Sequence, residues 1–251
     1  MALRTEQRGP VAVLTLDDPE RRNALSAAMV DDIVAAVSRA EADEATSALV
    51  ITGAGPAFCS GADTSNLAAL GGGGEQAETR SVRSLYDGFL AVRDASLPTV
   101  AAVNGPAVGA GFNLALCCDV RIAAESARFD SRFARIGLHP GGGHTWMLER
   151  AVGPQAAAAL ALFGVAVEGP RAAELGLAWS CVSDAEVLDT AVALAARAAE
   201  TPRDLLRSVK ASLREAPWTP DFATAVAVEL ERQSESFERG WVAERLAARR
   251  R

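Results

Sequence analysis

The stretch NGPAVGAGFNLALCCD, residues 104–119, begins as a turn of small residues and passes directly into an apolar run. It follows TVAAV (99–103), a brief β-branched and apolar segment that reads as a buried strand. Gly105, Gly109 and Gly111 let the main chain come close to a ligand and aim N–H groups at it. Where the segment turns inward and a catalytic acid would be useful, it offers Asn113. The residues therefore pose a choice between a catalytic site and a binding site of the same shape.

A second segment, GAGPAFCSGADTSNL (53–67), has the same plan: a strand, ALVIT (48–52), then a turn of small residues. Amides just ahead of a helix form a locally positive site for an oxygen that carries negative charge. Two such turns on neighbouring strands can give one N–H each to a single oxygen. That is the design of an oxyanion hole, where each donor stabilises a transition state by about 2.7–4 kcal/mol. For either turn alone, a tight turn without a ligand explains the residues equally well. A third glycine-rich segment is GLHPGGGHTW (137–146). None of the three has GxGxxG or GxxxxGK[ST] spacing, which argues against Rossmann and P-loop sites.

Outward from these loops, VAVLTL (11–16), DVRIAA (119–124) and AWSCV (178–182) also read as buried strands. Between the first two strands lies SAAMVDDIVAAVSRAEAD, with Met29, Ile33, Val34 and Val37 on one helical face and Ser26 as N-cap. The alternation predicts an α/β architecture, with a core over residues 1–183. Residues 184–251 read as helical throughout, with Pro202, Pro217 and Pro220 at boundaries. Phe222, Val226, Leu230 and Phe237 trace an apolar stripe there, suited to packing or subunit contact. Residues 64–80 contain four consecutive glycines and read as a lid or a surface loop. No internal repeat is evident.

The chain has 251 residues, of which 49% are hydrophobic and 23% charged, the profile of an ordinary globular protein. A net charge of −7 argues against a nucleic-acid partner; ERLAARRR at the end reads as a solvated helix terminus. No apolar run approaches a membrane span and no signal peptide is evident, so a cytoplasmic location is expected. Cys59, Cys117, Cys118 and Cys181 fit neither a CxxC pair nor a zinc cluster and read as free thiols. No metal site is expected.

AFCSGAD (57–63), NGPAVGAGFNLALCCD (104–119) and ARFDSRFARIGLHPGGGHTWMLERAVG (127–153), in this order and spacing, resemble the enoyl-CoA hydratase/isomerase family, the crotonases. DDPERRNALS (17–26) and EGPRAAELGLAWSCV (168–182) extend the likeness over nearly the whole chain. The resemblance implies a crotonase-like ββα spiral with a helical C-terminal region used for trimerisation, as a homotrimer or dimer of trimers. It implies an acyl-CoA or enoyl-CoA thioester as ligand, coenzyme A being the thioester moiety of the substrate and no cofactor being bound permanently. The carbonyl-polarising amides map onto Ala62 and Ala110. Coenzyme contacts map onto Arg22 and Ala24, and onto the backbone of Ser60, Ala62 and Asp63. Arg22 reads equally as one of the solvated charges of PERR.

The sequence departs from the family at the two glutamates that move water and proton. Those positions hold Asn113 and Phe133, neither of which can exchange a proton, so hydration by the usual pair is not expected. Another enolate reaction, such as double-bond isomerisation, would need Asp130, His139 or His144 as proton carrier. Asp130 otherwise reads as a surface carboxylate beside Arg128 and Arg132, and the histidines as structural. Asp63 reads as a backbone acceptor or helix cap, and Cys59 lacks a histidine partner that would make it a nucleophile. The expected function is therefore acyl- or enoyl-CoA binding with carbonyl polarisation. A catalytically silent acyl-CoA binder is the alternative, and an interaction module without ligand a more distant one.

Overall fold

The β-branched segments read from the sequence assemble mainly into one sheet. A computed structural model describes residues 2–63 and 75–248. Strands β1 (Leu3–Arg8), β2 (Val11–Leu16), β3 (Ala48–Gly53), β4 (Thr99–Val103), β6 (Val120–Ala124) and β9 (Ser180–Val182) lie in that spatial order. From β2 onward every pairing is parallel, while β1 folds back on β2 as an antiparallel edge. All of β3 and β4 is buried, which is why they read as unbroken apolar runs. The β1 strand escapes a periodicity reading because, of LRTEQR, only Leu3 is buried.

A second, three-stranded sheet joins β5 (Pro106–Val108), β7 (Arg128–Asp130) and β8 (Val167–Glu168). Isolated bridges continue it, Cys59 pairing with Ala107 and Ala62 with Leu25. Four times the chain leaves the large sheet and adds a short extended piece to the small one: after β2, β3, β4 and β6. That repetition is the crotonase spiral. It is invisible as a sequence repeat because the second-layer pieces are two or three residues long and share geometry, not residue types.

Helix α1 (Ala27–Ala42) begins where the sequence indicates, with Ser26 Oγ accepting from Met29 N–H at 3.2 Å. Helix α2 (Glu75–Asp94) packs on α1. The lid expected over residues 64–80 therefore divides: 75–80 are helical, and 64–74, with the four glycines, lie outside the described residues. Helix α3 (Ala110–Cys117) carries the end of the opening stretch and is buried almost throughout. Next come α4 (His144–Ala161) and the short α5 (Gly169–Glu174).

Helices α6 (Val187–Ala196), α7 (Arg203–Glu215), α8 (Phe222–Glu238) and α9 (Trp241–Ala248) form the C-terminal region. Helix α6 lies on β2, β3, β4 and β6. Helix α7 is fastened by cations: Arg203 donates to the carbonyls of Ala40, Glu41 and Asp43, satisfying the end of α1. Lys210 Nζ is buried 2.6 Å from both Leu97 O and Asp119 Oδ2. The stripe on α8 finds no cover among the described residues, Phe222 being 85% and Leu230 61% exposed.

Candidate functional site

The carboxyl ends of β2, β3 and β4 release three loops side by side, the position where parallel sheets place ligands. Two asparagines hold them together. Asn23, fully buried and at φ +58°, donates from Nδ2 to the carbonyls of Ala54 (2.9 Å), Ala57 (2.8 Å) and Phe58 (3.3 Å) and accepts from Asp18 N–H. Asn104 accepts from Gly53 N–H at 3.0 Å and donates to Gly55 O at 3.0 Å. Sequence reading had assigned neither a role at the site. A buried side-chain amide tying several carbonyls is a fixture of the loop, because each lost bond would leave a desolvated group unpaired.

Residues 59–62 run between two neighbours. On one side Leu25 N–H donates to Gly61 O (2.7 Å) and Asp63 N–H donates to Leu25 O (3.3 Å). Both bonds flank Ala62, so its own N–H points to the opposite edge, toward the turn before α3. Ala110 is the first residue of α3, and its N–H is one that the helix cannot satisfy. The two turns touch. A Cβ on Gly61, which has φ +100°, would stand 2.7 Å from Val108 O and 3.5 Å from Ala110 N, and a Cβ on Gly111 would overlap the Cys59 carbonyl. Glycine is needed at both places for the amides of Ala62 and Ala110 to lie this close.

One turn along α3, Asn113 N–H donates to Gly109 O and the side chain is buried. Asn113 Nδ2 donates to Gly141 O at 2.9 Å, which leaves Oδ1 as the acceptor facing His144 Nδ1 at 2.8 Å. The imidazole therefore carries its proton on Nδ1, and Nε2 accepts from Ser131 Oγ at 2.8 Å. His144 is 1% exposed, with the Phe133 ring 5.0 Å and the Phe112 ring 5.3 Å away, both edge-on. This burial pushes its pKa down to about 4, so the ring is neutral across the ordinary pH range. Asn113 and Phe133, the two residues singled out in the sequence, both contact this one ring.

Asp130 is not at the surface. Its buried carboxylate accepts from Arg132 N–H and Nη2, both at 2.9 Å, with Arg135 Nη1 at 3.7 Å and Arg128 Nη2 at 3.9 Å. Arginines thus surround the carboxyl group the sequence offered as a proton carrier. His139 is exposed and pairs with the carbonyl of Pro140 at 2.7 Å. Arg22 is exposed at φ +53°, and its carbonyl accepts from Ser60 N–H at 2.9 Å. Ala24 N–H and Ser60 Oγ both donate to Arg21 O. Asp63 Oδ2 is 3.3 Å from Arg21 Nη1, bridging the first and second loops.

Cys59 is fully buried, and desolvation pushes its thiol up to about 12, which removes it as a nucleophile. Two residues near the site carry no signal in the sequence. They are Ser131 and Tyr86. The Tyr86 hydroxyl rests on Gly141, where any Cβ would overlap it.

The sequence profile of the family described as enoyl-CoA hydratase/isomerase matches residues 6–246. The Mycobacterium tuberculosis protein named "Probable enoyl-CoA hydratase EchA14" is 50% identical over 244 residues, covering 95% of this chain and 93% of that protein. A crystal structure of an enoyl-CoA hydratase from Polaromonas sp. JS666 superposes with a TM-score of 0.93 at 30% identity, over 99% of this chain and 96% of the other. A Thermobifida fusca YX protein solved in complex with acetoacetyl-CoA superposes with a TM-score of 0.84 at 33% identity, over 95% of each chain. The chain belongs to the enoyl-CoA hydratase/isomerase family, the crotonases.

Proposed function

We propose that this protein binds acyl- or enoyl-CoA thioesters with the carbonyl oxygen between the N–H groups of Ala62 and Ala110, and that adding water through paired carboxylates is not its reaction. One observation carries the reading: the interlocked turns are intact, while Asn113 and Phe133 stand where proton-exchanging carboxylates would be needed. A thioester carbonyl takes up negative charge in every enolate or acyl-transfer step, so fixed amides favour the intermediate over the ground state. Coenzyme A enters as part of the substrate, with Arg22, Ala24, Ser60, Ala62 and Asp63 along its path; the acetoacetyl-CoA held by the Thermobifida relative supports this.

For double-bond chemistry the structure favours the silent alternative. Asp130 is engaged by arginines, His139 is exposed, and both nitrogens of His144 are occupied. In this reading residues 1–183 hold the ligand. The uncovered stripe at Phe222, Val226, Leu230 and Phe237 supports the subunit contacts of a homotrimer or dimer of trimers. Among the described residues no helix is long and apolar enough to cross a membrane, and all four cysteines are free, in keeping with a cytoplasmic setting.

Purified protein mixed with crotonyl-CoA tests the proposal. Micromolar binding by calorimetry, with no 3-hydroxybutyryl-CoA formed on mass analysis, is the expected result. Hydration at the rate of a two-glutamate enzyme would overturn the reading of Asn113 and Phe133. Absence of binding to any CoA thioester would overturn the reading of the amides.

A further inference from the structure

We propose that Ser131, His144 and Asn113 form a nucleophile–base–orienter chain beside the oxyanion amides, and that the protein cleaves acyl-CoA thioesters by acyl transfer to Ser131. The proposal rests on the thioester-binding reading above and extends it to a reaction class. Its basis is the direction of three consecutive hydrogen bonds. Asn113 is anchored by Gly141 O, presents Oδ1 to His144 Nδ1–H, and so leaves Nε2 to receive the Ser131 hydroxyl proton at 2.8 Å. Hydroxyl to imidazole to fixed amide is the polarity of a serine triad, with asparagine as the orienting group.

The chain is joined to the amide turns through covalent and hydrogen-bonded neighbours. Gly109 N–H donates to the carbonyl of Asp130, the residue before Ser131, at 2.9 Å, and Ala110 follows Gly109. A Cβ on Gly109 would lie 4.0 Å from the Ser131 carbonyl. Asn113 sits one turn after Ala110 on α3. The nucleophile, the base and the oxyanion donors are thus carried at the exits of strands and on two helices, α3 and α4, which fixes them against one another.

The step balances without another reactant. Ser131 Oγ bonds to the thioester carbonyl carbon, and its proton passes to His144 Nε2. The carbon–sulfur bond breaks, and the sulfur leaves as coenzyme A thiol with that proton. Water, activated by the same nitrogen, then hydrolyses the serine ester to a carboxylic acid. Phe133 and Phe112 pack edge-on against His144, and the burial keeps the resting imidazole neutral with Nε2 free of a proton.

Wild-type protein is incubated with hexanoyl-CoA, a saturated thioester with no double bond to hydrate. Free thiol is followed with a chromogenic disulfide, intact mass is read after acid quench, and binding is measured by calorimetry. The expected result is thiol release and a hexanoyl adduct on the peptide containing Ser131. Ser131→Ala should lower thiol release at least 100-fold and abolish the adduct while changing affinity less than threefold. Ser131→Cys should keep a nucleophile and accumulate a hexanoyl thioester at residue 131, and His144→Gln should lower release as far as Ser131→Ala. Binding without thiol release or adduct, or release undiminished in Ser131→Ala, overturns this proposal and leaves the binding reading standing. Failure of hexanoyl-CoA to bind the folded wild type overturns both.

Discussion

The turns bearing Ala62 and Ala110 can be compared with the cluster of Asn113, Ser131 and His144, of which Asn113 sits one turn along α3 from Ala110. In the first, the groups offered to a ligand are main-chain N–H groups. Their direction is set by parallel bridges and by glycines at positions 61 and 111 that no Cβ can occupy. Side chains elsewhere on these loops can change without moving the donors. In the second, the groups on offer are side chains, and the proposed loss of hydration rests on two of them, Asn113 and Phe133. Main-chain function is protected by the fold, whereas side-chain function depends on each residue.

Restoring carboxylates is the strongest way to break this contrast. The double variant Asn113→Glu/Phe133→Glu should raise crotonyl-CoA hydration by about 10²–10⁴-fold, with either single change giving much less. The 3-hydroxybutyryl-CoA formed, quantified by mass, measures it. A folded double variant that binds crotonyl-CoA and adds no water would show that the acyl chain does not pass these positions.

Striking the main-chain half should cost nearly as much. Gly61→Ala forces a Cβ toward Val108 O in a left-handed conformation, and Gly111→Ala drives one into the Cys59 carbonyl. Each should weaken carbonyl polarisation by the equivalent of one lost donor, about 10²–10³-fold or roughly 2.7–4 kcal/mol. The affinity for acetoacetyl-CoA, whose enolate fits the hole, and the shift of the bound carbonyl stretch are the readouts.

The side-chain half carries a pH signature that the main-chain half lacks. His144 titrates near 4 in the folded protein and near its ordinary 6.5 when unfolded. Above about pH 6.5 both states are neutral there and stability is independent of this group. As pH falls from about 6.5 to 4, the unfolded chain takes up a proton that the folded protein refuses, so stability declines by about 3 kcal/mol in total. Below pH 4 this contribution is level. Urea midpoints taken across that window should show the slope in the wild type and lose it in His144→Gln, which can still bridge Asn113 and Ser131.

Smaller effects separate scaffold from site. Asn23→Ala leaves the carbonyls of Ala54, Ala57 and Phe58 short of a donor and should lower stability by about 1–3 kcal/mol. Because those carbonyls shape the loop before Ala62, thioester affinity should fall with it. Ser26→Ala removes only the cap of α1, should cost about 1 kcal/mol, and should leave affinity untouched. Equal losses of affinity in both variants would mean that Asn23 acts through general stability and not through the loop.

The amino-acid sequence by itself determined five of the strands, the start of α1, the turns of small residues after β3 and β4, and the residue types at positions 113 and 133. Each is a local property: a run of β-branched residues, a capping serine, glycine where the backbone must pass closely, one residue type in place of another. Only the tertiary structure decided that Asp130 is enclosed by arginines, that His139 is exposed, that Asn23 ties the first loop to the second, and that Ser131 and His144 meet over Asn113. Those partners are 13 and 31 residues apart along the chain and come from a strand exit and two helices. Hydrogen bonds between such distant groups are set by the winding of the spiral, because direction and burial belong to the packed elements and not to any stretch that can be read alone.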